Sequence, residues 1–403
     1  MEECPQTRAL VAPAETLLCL AAQGWGVFVK KLVLVGAGHA HAFVLEAFAE
    51  RPDAGIELTL ISDRPKAAYS GCVPAWLAGE CPLEEAQIDI ATLCERAGAR
   101  LIVEPAVAVD GANRHVILAG GEKINFDIAS LNVGSTLERP AQQSDSPPYL
   151  LAMRPLNELQ RRWQDLLETV QAWPGGTERR VLGVGGGAAG CETLMSVLAQ
   201  LRSQRPDITW RGTLMSAGKQ PLPGAGHLPR ALIKRALKQA DVTWQGNSRG
   251  KALVEGAVRD HQGRQHPADI VLWATGAVGH RWLAASDLPL DKNGFIKVEN
   301  TLAVSGMPRL FAAGDCTAFD PPLPNAGVYA VRMGPPLAEN LRRACHGQAL
   351  KPWQPPRRVL ALIGTGDGRA IASRGSIGFS GRWVWRWKKR IDARFIARFN
   401  RPF

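Results

Sequence analysis

The sequence predicts an α/β protein with two Rossmann-like dinucleotide-binding domains, the second inserted into the first, followed by a C-terminal amphipathic helix. Three observations lead to this fold class. Glycine-rich turns follow short apolar runs at residues 32–41 and again at residues 181–190, and the last twenty residues combine large apolar with basic side chains. An apolar run, a glycine turn and a helical pattern in this order are typical of a parallel sheet with crossover helices.

The composition is that of an ordinary folded α/β protein. Of 403 residues, 46% are hydrophobic and 21% are charged,. The formal net charge is +11, and eight basic residues against one acid lie between residues 382 and 401. Proteins that coat nucleic acid spread their basic residues over a domain face instead. We therefore expect no nucleic-acid partner.

The cysteine pattern indicates neither a zinc site nor a disulfide framework, because the eight cysteines include no C-x-x-C pair,. We therefore expect no metal. No apolar run is long enough to cross a bilayer,. Residues 1–29 are largely apolar, but Glu2 and Glu3 stand where a secretory signal would be basic,. This favours a poorly ordered extension of a cytoplasmic protein.

The first βαβ unit begins with a predicted strand at Leu32–Val35. Gly36 permits the tight turn, and Gly38 lets the backbone approach a pyrophosphate at the helix N-terminus. His41 stands where the third glycine of the motif is usual, and the second strand ends at Asp63, where a ribose-binding acid is expected,.

The second unit carries the complete motif. Gly185, Gly187 and Gly190 follow the predicted strand Val181–Val184 and precede a helical pattern. Two such units about 150 residues apart are far more specific than either one alone,.

Two later strands end in turns suited to a cofactor. Asp269–Gly279 ends in an Ala-Thr-Gly turn that includes Gly276, and Leu310–Ala313 is followed by Gly314 and Asp315. An acid at the carboxyl end of a strand can accept hydrogen bonds from a polyol chain. Asp315 as a turn residue that caps the next helix is the alternative.

With these pieces in this order, the chain resembles the pyridine nucleotide-disulfide oxidoreductase superfamily from Lys31 to about Leu350. The strings YSGCVP, NAGVYAVRMGPPLAENLRRA and LALIGTGDGRAIASRG resemble its NADH-dehydrogenase-like branch, which is associated with selenide, water dikinase. That branch is similar to type II NADH dehydrogenases and sulfide:quinone oxidoreductases. The resemblance implies FAD as cofactor and NADH or NADPH as co-substrate.

The resemblance also implies the domain organisation. It implies a poorly ordered extension at 1–29, an FAD-binding domain at 30–150 and 285–350, an inserted NAD(P)H-binding domain at 151–284, and a C-terminal segment at 351–403. The last segment would supply an interface and a basic helix that contacts a membrane.

Site residues follow from the same resemblance. The implied FAD residues are Gly36, Gly38, His39, Asp63, Gly71, Gly134 (in LNVGS), Asp315, Gly327 and Val328. The implied NAD(P)H residues are Gly185, Gly187, Gly190, Glu192 and Gly276, with Glu192 close to the nicotinamide ribose. A helix that begins at Gly327 would direct its positive end at the pyrimidine ring of the flavin.

The chain departs from the family pattern at two places. The strand after the second glycine motif ends in Ser216, without the acid usual in NADH enzymes. Lys219 would suit a 2′-phosphate, so NADH, NADPH and loss of nicotinamide binding all stay open. Arg332-Met333 stands where type II dehydrogenases usually show Gln-Gln, so we expect different contacts to a quinone.

The sequence identifies no catalytic residue with certainty of role, and Cys72 of YSGCVP is the candidate. Disulfide reductases carry a second cysteine five positions earlier, where this chain has Ala67. We expect Cys72 to be a small buried residue beside the flavin. A lone thiol that forms a charge-transfer or persulfide species stays an alternative.

The basic tail is amphipathic if it is helical. Trp383, Trp387, Ile391, Phe395 and Phe399 lie four apart and predict one slowly drifting apolar stripe, with Arg and Lys over the other face,. Tryptophan beside cationic residues suits the headgroup region of a bilayer. We expect peripheral attachment to the cytoplasmic face of the membrane, with docking on the protein core or an RNA-binding arm as alternatives.

These observations predict an FAD-dependent NAD(P)H dehydrogenase that passes two electrons to a quinone-like or other small electron acceptor at a membrane surface. A sulfide or selenium-compound:acceptor oxidoreductase is one alternative, and a non-catalytic flavin-binding redox sensor is another. A homodimer and a functional link to selenide, water dikinase stay open.

Overall fold

The computed structural model describes residues 29–401. The extension expected at residues 1–29 therefore lies, except for Val29, outside the described residues. The strands are β1 (Lys30–Val35), β2 (Ile56–Ser62), β3 (Lys66–Ala68), β4 (Gln87–Asp89), β5 (Arg100–Val103), β6 (Ala106–Asp110), β7 (His115–Leu118), β8 (Lys123–Asn125), β9 (Ile128–Leu131), β10 (Thr136–Leu137), β11 (Ala141–Gln142), β12 (Tyr149–Ala152), β13 (Glu178–Val184), β14 (Thr209–Met215), β15 (Val242–Gln245), β16 (Gly250–Val254), β17 (Ala257–Asp260), β18 (Gln265–Pro267), β19 (Ile270–Trp273), β20 (Ala277–Val278), β21 (Ile296–Lys297), β22 (Ala303–Val304), β23 (Met307–Ala312), β24 (Thr317–Ala318), β25 (Ala361–Gly364), β26 (Ala370–Arg374) and β27 (Ile377–Gly381).

The α-helices are α1 (His39–Glu50), α2 (Val73–Leu77), α3 (Ile90–Arg96), α4 (Leu156–Gln171), α5 (Ala188–Gln204), α6 (His227–Gln239), α7 (Gly327–Cys345) and α8 (Arg382–Phe399). Short 3-10 turns cover Glu84–Ala86, Arg281–Ala285 and Gly314–Cys316. No helix in residues 29–401 combines the length and the apolar character that a bilayer crossing requires.

The first sheet has six strands in the order β22-β23-β9-β1-β2-β5, all parallel except the edge strand β22. Alternate residues of β1 bury opposite faces. Leu32 and Leu34 pack with α1 and α7, whereas Val33 and Val35 pack with the antiparallel meander β6-β7-β8. A parallel sheet covered on both faces explains why β1 is apolar at nearly every position.

The second sheet has five parallel strands in the order β12-β19-β13-β14-β15. In sequence it lies between β9 and β23 of the first sheet, so the chain passes from one sheet to the other twice. The strands β10 and β20 lie in these two connecting segments and pair as a short antiparallel ladder. The first strand of the second sheet in the sequence, β12, begins at Tyr149. The α/β fold with one parallel-sheet unit inserted in another is therefore confirmed.

The C-terminal segment contacts both units. The antiparallel sheet β25-β26-β27 packs on α5 and α6, and α8 crosses to the first unit. There Arg398 Nε donates to Glu46 Oε1 over 2.6 Å, and the backbone N–H of Asp89 donates to Asn400 Oδ1 over 2.9 Å. The helix therefore docks on the protein core.

One basic residue of α8 lies inside and not on the solvated face, and the apolar stripe drifts around the helix, as expected. Trp383 is 52% and Trp387 38% exposed, whereas Phe399 is fully buried and Lys388, expected on the solvated face, has only 4% of its side chain exposed. The reason is geometric. Residues four apart rotate by about 40° per step, so a row of five drifts by about 160° around the helix. The row passes from solvent at Trp383 into the core at Phe399.

Candidate functional site

The first glycine-rich turn packs against the end of strand β9. Gly36 has φ +91°, and a Cβ on it would lie 2.7 Å from the carbonyl oxygen of Asn132. A Cβ on Gly38 would overlap the Asn132 side chain. Both positions therefore exclude larger residues, and Gly38 is the N-cap of α1. A dinucleotide pyrophosphate would meet the positive end of the dipole of this helix.

Asn132 ties three segments of the site together. Its Oδ1 accepts from the backbone N–H groups of Ala40 (2.9 Å) and His41 (3.2 Å), and its Nδ2 donates to the carbonyl of Ala313 (2.6 Å). Asn132 thereby links the start of α1, the end of β9 and the turn before Asp315. This residue lies in the LNVGS string but was not among the expected site residues.

His41 replaces the missing third glycine by hydrogen bonding. Its buried ring places Nδ1 2.6 Å from the Gly36 carbonyl and Nε2 2.9 Å from Ser130 Oγ. Burial lowers the pKa of His41 to about 4, so the ring is neutral near pH 7,. Because a carbonyl only accepts, Nδ1 carries the proton and Nε2 accepts from the Ser130 hydroxyl. The ring thus joins helix and strand where a glycine would let them touch.

The segment before Cys72 meets the starts of α1 and α7. The backbone N–H of Ser70 lies 3.4 Å from His39 Nε2, and a Cβ on Gly327 would lie 2.8 Å from Ser70 Oγ. Burial lowers the pKa of His39 to about 4, although Asp315 opposes the shift. Val328, the next residue of α7, is half-buried against the core that contains Leu32 and Leu34 of the first sheet. His39, Gly327 and Val328 therefore lie together, and their contact with FAD stays a prediction.

Asp315 follows β23, as expected, and is paired with a cation that was not expected. Its Oδ2 lies 2.8 Å from Arg154 Nη1, and Arg154 also contacts Ser135 Oγ. Both side chains keep part of their surface exposed. Gly134, with φ +70°, has open space on its side-chain face. This arrangement fits the polyol and phosphate groups of a dinucleotide.

Asp63 directly follows the end of β2 at the same edge of the first sheet. Its carboxylate accepts from Asn157 Nδ2 and lies 3.9 Å from Arg64 Nε. His280 Nε2 lies 3.1 Å from the carbonyl of Val133 and joins the same edge. The expected FAD residues thus follow one edge of the first sheet.

The departure at Arg332-Met333 has a structural role at this edge. Met333 is buried, and its Sδ accepts from the backbone N–H of Gly314 over 3.1 Å. Arg332 is exposed. Met333 therefore supports the turn that presents Asp315.

The second glycine-rich turn is packed at Gly185 and Gly190 and open at Gly187, as is the Ala-Thr-Gly turn at Gly276. Gly185 has φ +129° and faces the carbonyl of Ala274, and a Cβ on Gly190 would overlap the Gly185 carbonyl. Gly187 and Gly276 have open space where a Cβ would lie. Gly187 is also the N-cap of α5. The open side fits a second dinucleotide at a helix N-terminus.

Glu192 lies against the C-terminal segment. Its Oε1 accepts from the backbone N–H of Gly364 over 2.7 Å and lies 4.0 Å from Lys388 Nζ. Burial raises the pKa of Glu192 to about 7, with Lys388 opposing the shift. These two partners were not expected from the sequence, and the position near a nicotinamide ribose stays a prediction.

Lys388 brings α8 to the YSGCVP segment. Its Nζ donates to the carbonyl of Gly71 over 2.5 Å and to Asp392 Oδ2 over 2.8 Å. Burial lowers the pKa of Lys388, but Glu192 and Asp392 outweigh burial and the net shift is upward. The amine is therefore charged. We call Glu192, Lys388 and Asp392 the buried charge cluster.

Cys72 is buried next to this cluster. Burial, followed by the charge of Asp392, raises the pKa of Cys72 to about 12. A thiol in this state carries almost no thiolate near neutral pH, and thiolate is the reactive form. Gly71 beside it is packed between Tyr69 and Asp392, and Tyr69 stacks on Phe395 of α8 with ring centroids 4.2 Å apart. Within residues 29–401, no group of three or more His, Cys, Asp or Glu side chains could hold a metal.

The comparisons with known proteins agree with this geometry. The family model for pyridine nucleotide-disulphide oxidoreductase matches residues 30–340. A probable ferredoxin reductase of Castellaniella defragrans is 27% identical over 81% of this chain and 77% of its own length. An NADH dehydrogenase-like protein of Mycobacterium tuberculosis is 25% identical over 76% of this chain and 78% of its own.

Among solved structures, the sulfide:quinone oxidoreductase of Aquifex aeolicus superposes with a TM-score of 0.73 at 19% identity. The match covers 92% of this chain and 91% of that one. The likeness shows that the fold is shared. The family match over residues 30–340 establishes that the chain belongs to the pyridine nucleotide-disulphide oxidoreductase family and is an oxidoreductase that uses FAD and a pyridine nucleotide.

Proposed function

We propose that the protein transfers two electrons from NADH or NADPH through FAD to a quinone or similar small acceptor at a membrane surface. One observation carries this proposal. Helix α8 presents a buried cation to the segment expected beside the flavin and, on another face, an exposed row of tryptophans. A single helix thus connects the redox site with a surface suited to lipid.

The outer face of α8 and its preceding strand form an apolar surface, which we call the aromatic patch. Its members are exposed large side chains: Ile377, Phe379, Trp383, Trp387 and Ile391. Trp383 and Trp387 stack at 6.4 Å between ring centroids. Exposed basic residues flank the patch at Arg382, Arg386, Lys389 and Arg390. Tryptophan with cationic neighbours suits the headgroup region of an anionic leaflet, where each basic residue contributes about 1 kcal/mol.

The inner face of α8 supports chemistry near the flavin. A bound FAD would supply the redox chemistry at this site, namely acceptance of a hydride from the nicotinamide and release of two electrons to the acceptor. Reduction of a quinone also consumes protons. Glu192, whose pKa is raised to about 7 by burial, can hold or release a proton near neutral pH,. Lys388 keeps a positive charge at the carbonyl of Gly71, which favours negative charge developing nearby,.

The alternative of sulfide chemistry receives no support from Cys72. That residue is buried and its raised pKa keeps it protonated. The disulfide partner position holds Ala67. We therefore favour direct transfer from flavin to acceptor, with attachment to the cytoplasmic face of the membrane.

The test is anaerobic reduction of the purified flavoprotein. Addition of NADH or NADPH should bleach the flavin absorbance, and a short-chain ubiquinone should restore it. The resemblance to a ferredoxin reductase supplies the competing acceptor, so an oxidised ferredoxin is assayed in parallel. A flavin that neither nucleotide reduces would refute the proposed function. Reoxidation by ferredoxin and not by quinone would refute the acceptor.

A further inference from the structure

We infer that the electron donor of this protein is NADPH, and that Ser216, Lys219 and Arg249 form the site for its 2′-phosphate. The inference rests on the proposed function, because it concerns the donor to the same flavin. It also decides between nucleotides that the glycine motifs cannot distinguish.

Ser216 occupies the position that reads the adenosine ribose. In a βαβ nucleotide unit, the residue at the end of the second strand faces the ribose, and an acid there binds the 2′-hydroxyl of NAD. In this chain that strand is β14, which ends at Met215, so Ser216 follows it directly. A Cβ on Gly186 would lie 2.6 Å from Ser216 Oγ. The hydroxyl is therefore in contact with the glycine-rich turn.

The two segments at this edge of the second sheet carry no carboxylate of their own, and Asp260, which accepts from Ser248 Oγ, is buried and already bound to Arg264. Neither the loop at residues 216–226 nor the segment at residues 244–251 contains Asp or Glu. These segments are joined by backbone hydrogen bonds. Ser216 N donates to the carbonyl of Gln245 over 2.9 Å, and Asn247 N donates to the carbonyl of Gly218 over 3.3 Å. The contacts that would favour a free 2′-hydroxyl are thus missing from both segments.

Two cations flank Ser216 instead. The backbone N–H of Ser248 donates to the Ser216 carbonyl over 2.8 Å, which places Arg249 next to it in the chain. The Trp244 indole donates to the carbonyl of Lys219 over 3.2 Å, which holds the backbone of Lys219 in place after Ser216. Lys219 and Arg249 are exposed, and neither forms an ion pair within residues 29–401.

This combination discriminates between the two nucleotides by charge. NADPH carries a phosphate on the 2′-oxygen, whereas NADH carries a neutral hydroxyl. A carboxylate at Ser216 would repel the phosphate. The hydroxyl of Ser216 can donate to it, and the lysine and arginine can form charge-assisted hydrogen bonds with it. Such bonds between exposed partners weaken with added salt.

The first experiment measures binding without turnover. Calorimetry compares 2′,5′-ADP with 5′-AMP on the purified flavoprotein, and we expect the former to bind about tenfold more tightly or better. The difference should shrink in high salt and disappear in Lys219→Ala/Arg249→Ala. Ser216→Glu should reverse the preference. Arg235→Ala/Lys238→Ala on α6 removes the same charge from two exposed positions and should leave the difference intact.

The second experiment measures the rate of flavin reduction by NADPH and by NADH in a stopped-flow instrument. A preference of about tenfold for NADPH that the Lys219/Arg249 double variant abolishes supports the inference. A preference for NADH, or equal binding of 2′,5′-ADP and 5′-AMP, overturns it and leaves the proposed function standing. Selective binding of 2′,5′-ADP without flavin reduction by either nucleotide overturns the proposed function while the phosphate site stands.

Discussion

Replacement of Lys388 tests whether the buried charge cluster holds α8 in place. In Lys388→Met the ammonium group is lost, and with it the hydrogen bonds to the Gly71 carbonyl and to Asp392. Glu192, whose Oε1 lies 4.0 Å from Nζ, loses the same cation. Because Asp392 then keeps a carboxylate without a counter-charge, and Glu192 must take up a proton to stay buried, we expect a loss of about 3–5 kcal/mol in the free energy of unfolding,.

The magnitude converts to a shift in the unfolding temperature. At about 2.1 cal/mol/K of unfolding entropy per residue, this loss of stability lowers the unfolding temperature of a chain of this size by about 4–6 °C. Differential scanning calorimetry at pH 7 measures it. The matched control is Arg394→Met, which removes one positive charge from an exposed position of the same helix. We expect this control to stay within about 0.5 kcal/mol of the parent.

A second variant separates charge from packing. If the stability of Lys388→Met is limited by the unpaired carboxylate of Asp392, then Asp392→Asn added to it should recover part of the loss. Equal stability of Lys388→Met and Arg394→Met would refute the reasoning. So would a double variant that loses the full sum of the single changes.

Three further predictions follow from the same contacts. Burial raises the pKa of Glu192 from 4.5 to about 7, so between these pH values the folded protein binds a proton that the unfolded chain releases. The free energy of unfolding should therefore fall as the pH rises from 4.5 to about 7,. Urea titrations should show a flatter slope against pH in Glu192→Gln. Cys72→Ser should leave flavin reduction by NAD(P)H within about twofold of the parent in stopped-flow assays, because the thiol is buried and protonated,. Trp383→Ser/Trp387→Ser should weaken flotation with phosphatidylglycerol vesicles by about tenfold or more, while thermal stability changes little because both rings are exposed,.

Each of these has a contradicting result. An unchanged pH slope in Glu192→Gln would show that another group binds the proton. Loss of flavin reduction in Cys72→Ser would restore thiol chemistry as an alternative. Vesicle binding that survives the double tryptophan change, but not removal of the exposed basic residues around it, would remove the aromatic patch from membrane attachment.

The parts of the site that the sequence predicts are those set by local backbone geometry. Gly36, Gly185 and Gly190 are recognisable because their turns exclude a side chain whatever the rest of the fold does,. Asp315 is recognisable because it directly follows a buried strand. These features need only a few neighbouring residues, and so a single sequence carries them.

The parts that escape prediction depend on residues far apart in the chain. Arg154 pairs with Asp315 across 161 positions, and Lys388 donates to Gly71 across 317. In the sequence Lys388 is one of eight basic residues of a tail, and nothing local shows which of them faces inward. His41 breaks the glycine motif, and only its bonds to Gly36 and Ser130 explain why the fold tolerates it.

We propose that this oxidoreductase delivers electrons to an acceptor at a membrane surface through the face that carries α8. The most direct measurement is the steady-state oxidation of NAD(P)H with ubiquinone embedded in vesicles of phosphatidylcholine and phosphatidylglycerol. We expect the turnover to rise with the anionic lipid fraction and to fall in Trp383→Ser/Trp387→Ser, while the reduction of a water-soluble quinone is preserved. Equal rates with and without anionic lipid, in the parent and in the double variant alike, would contradict it.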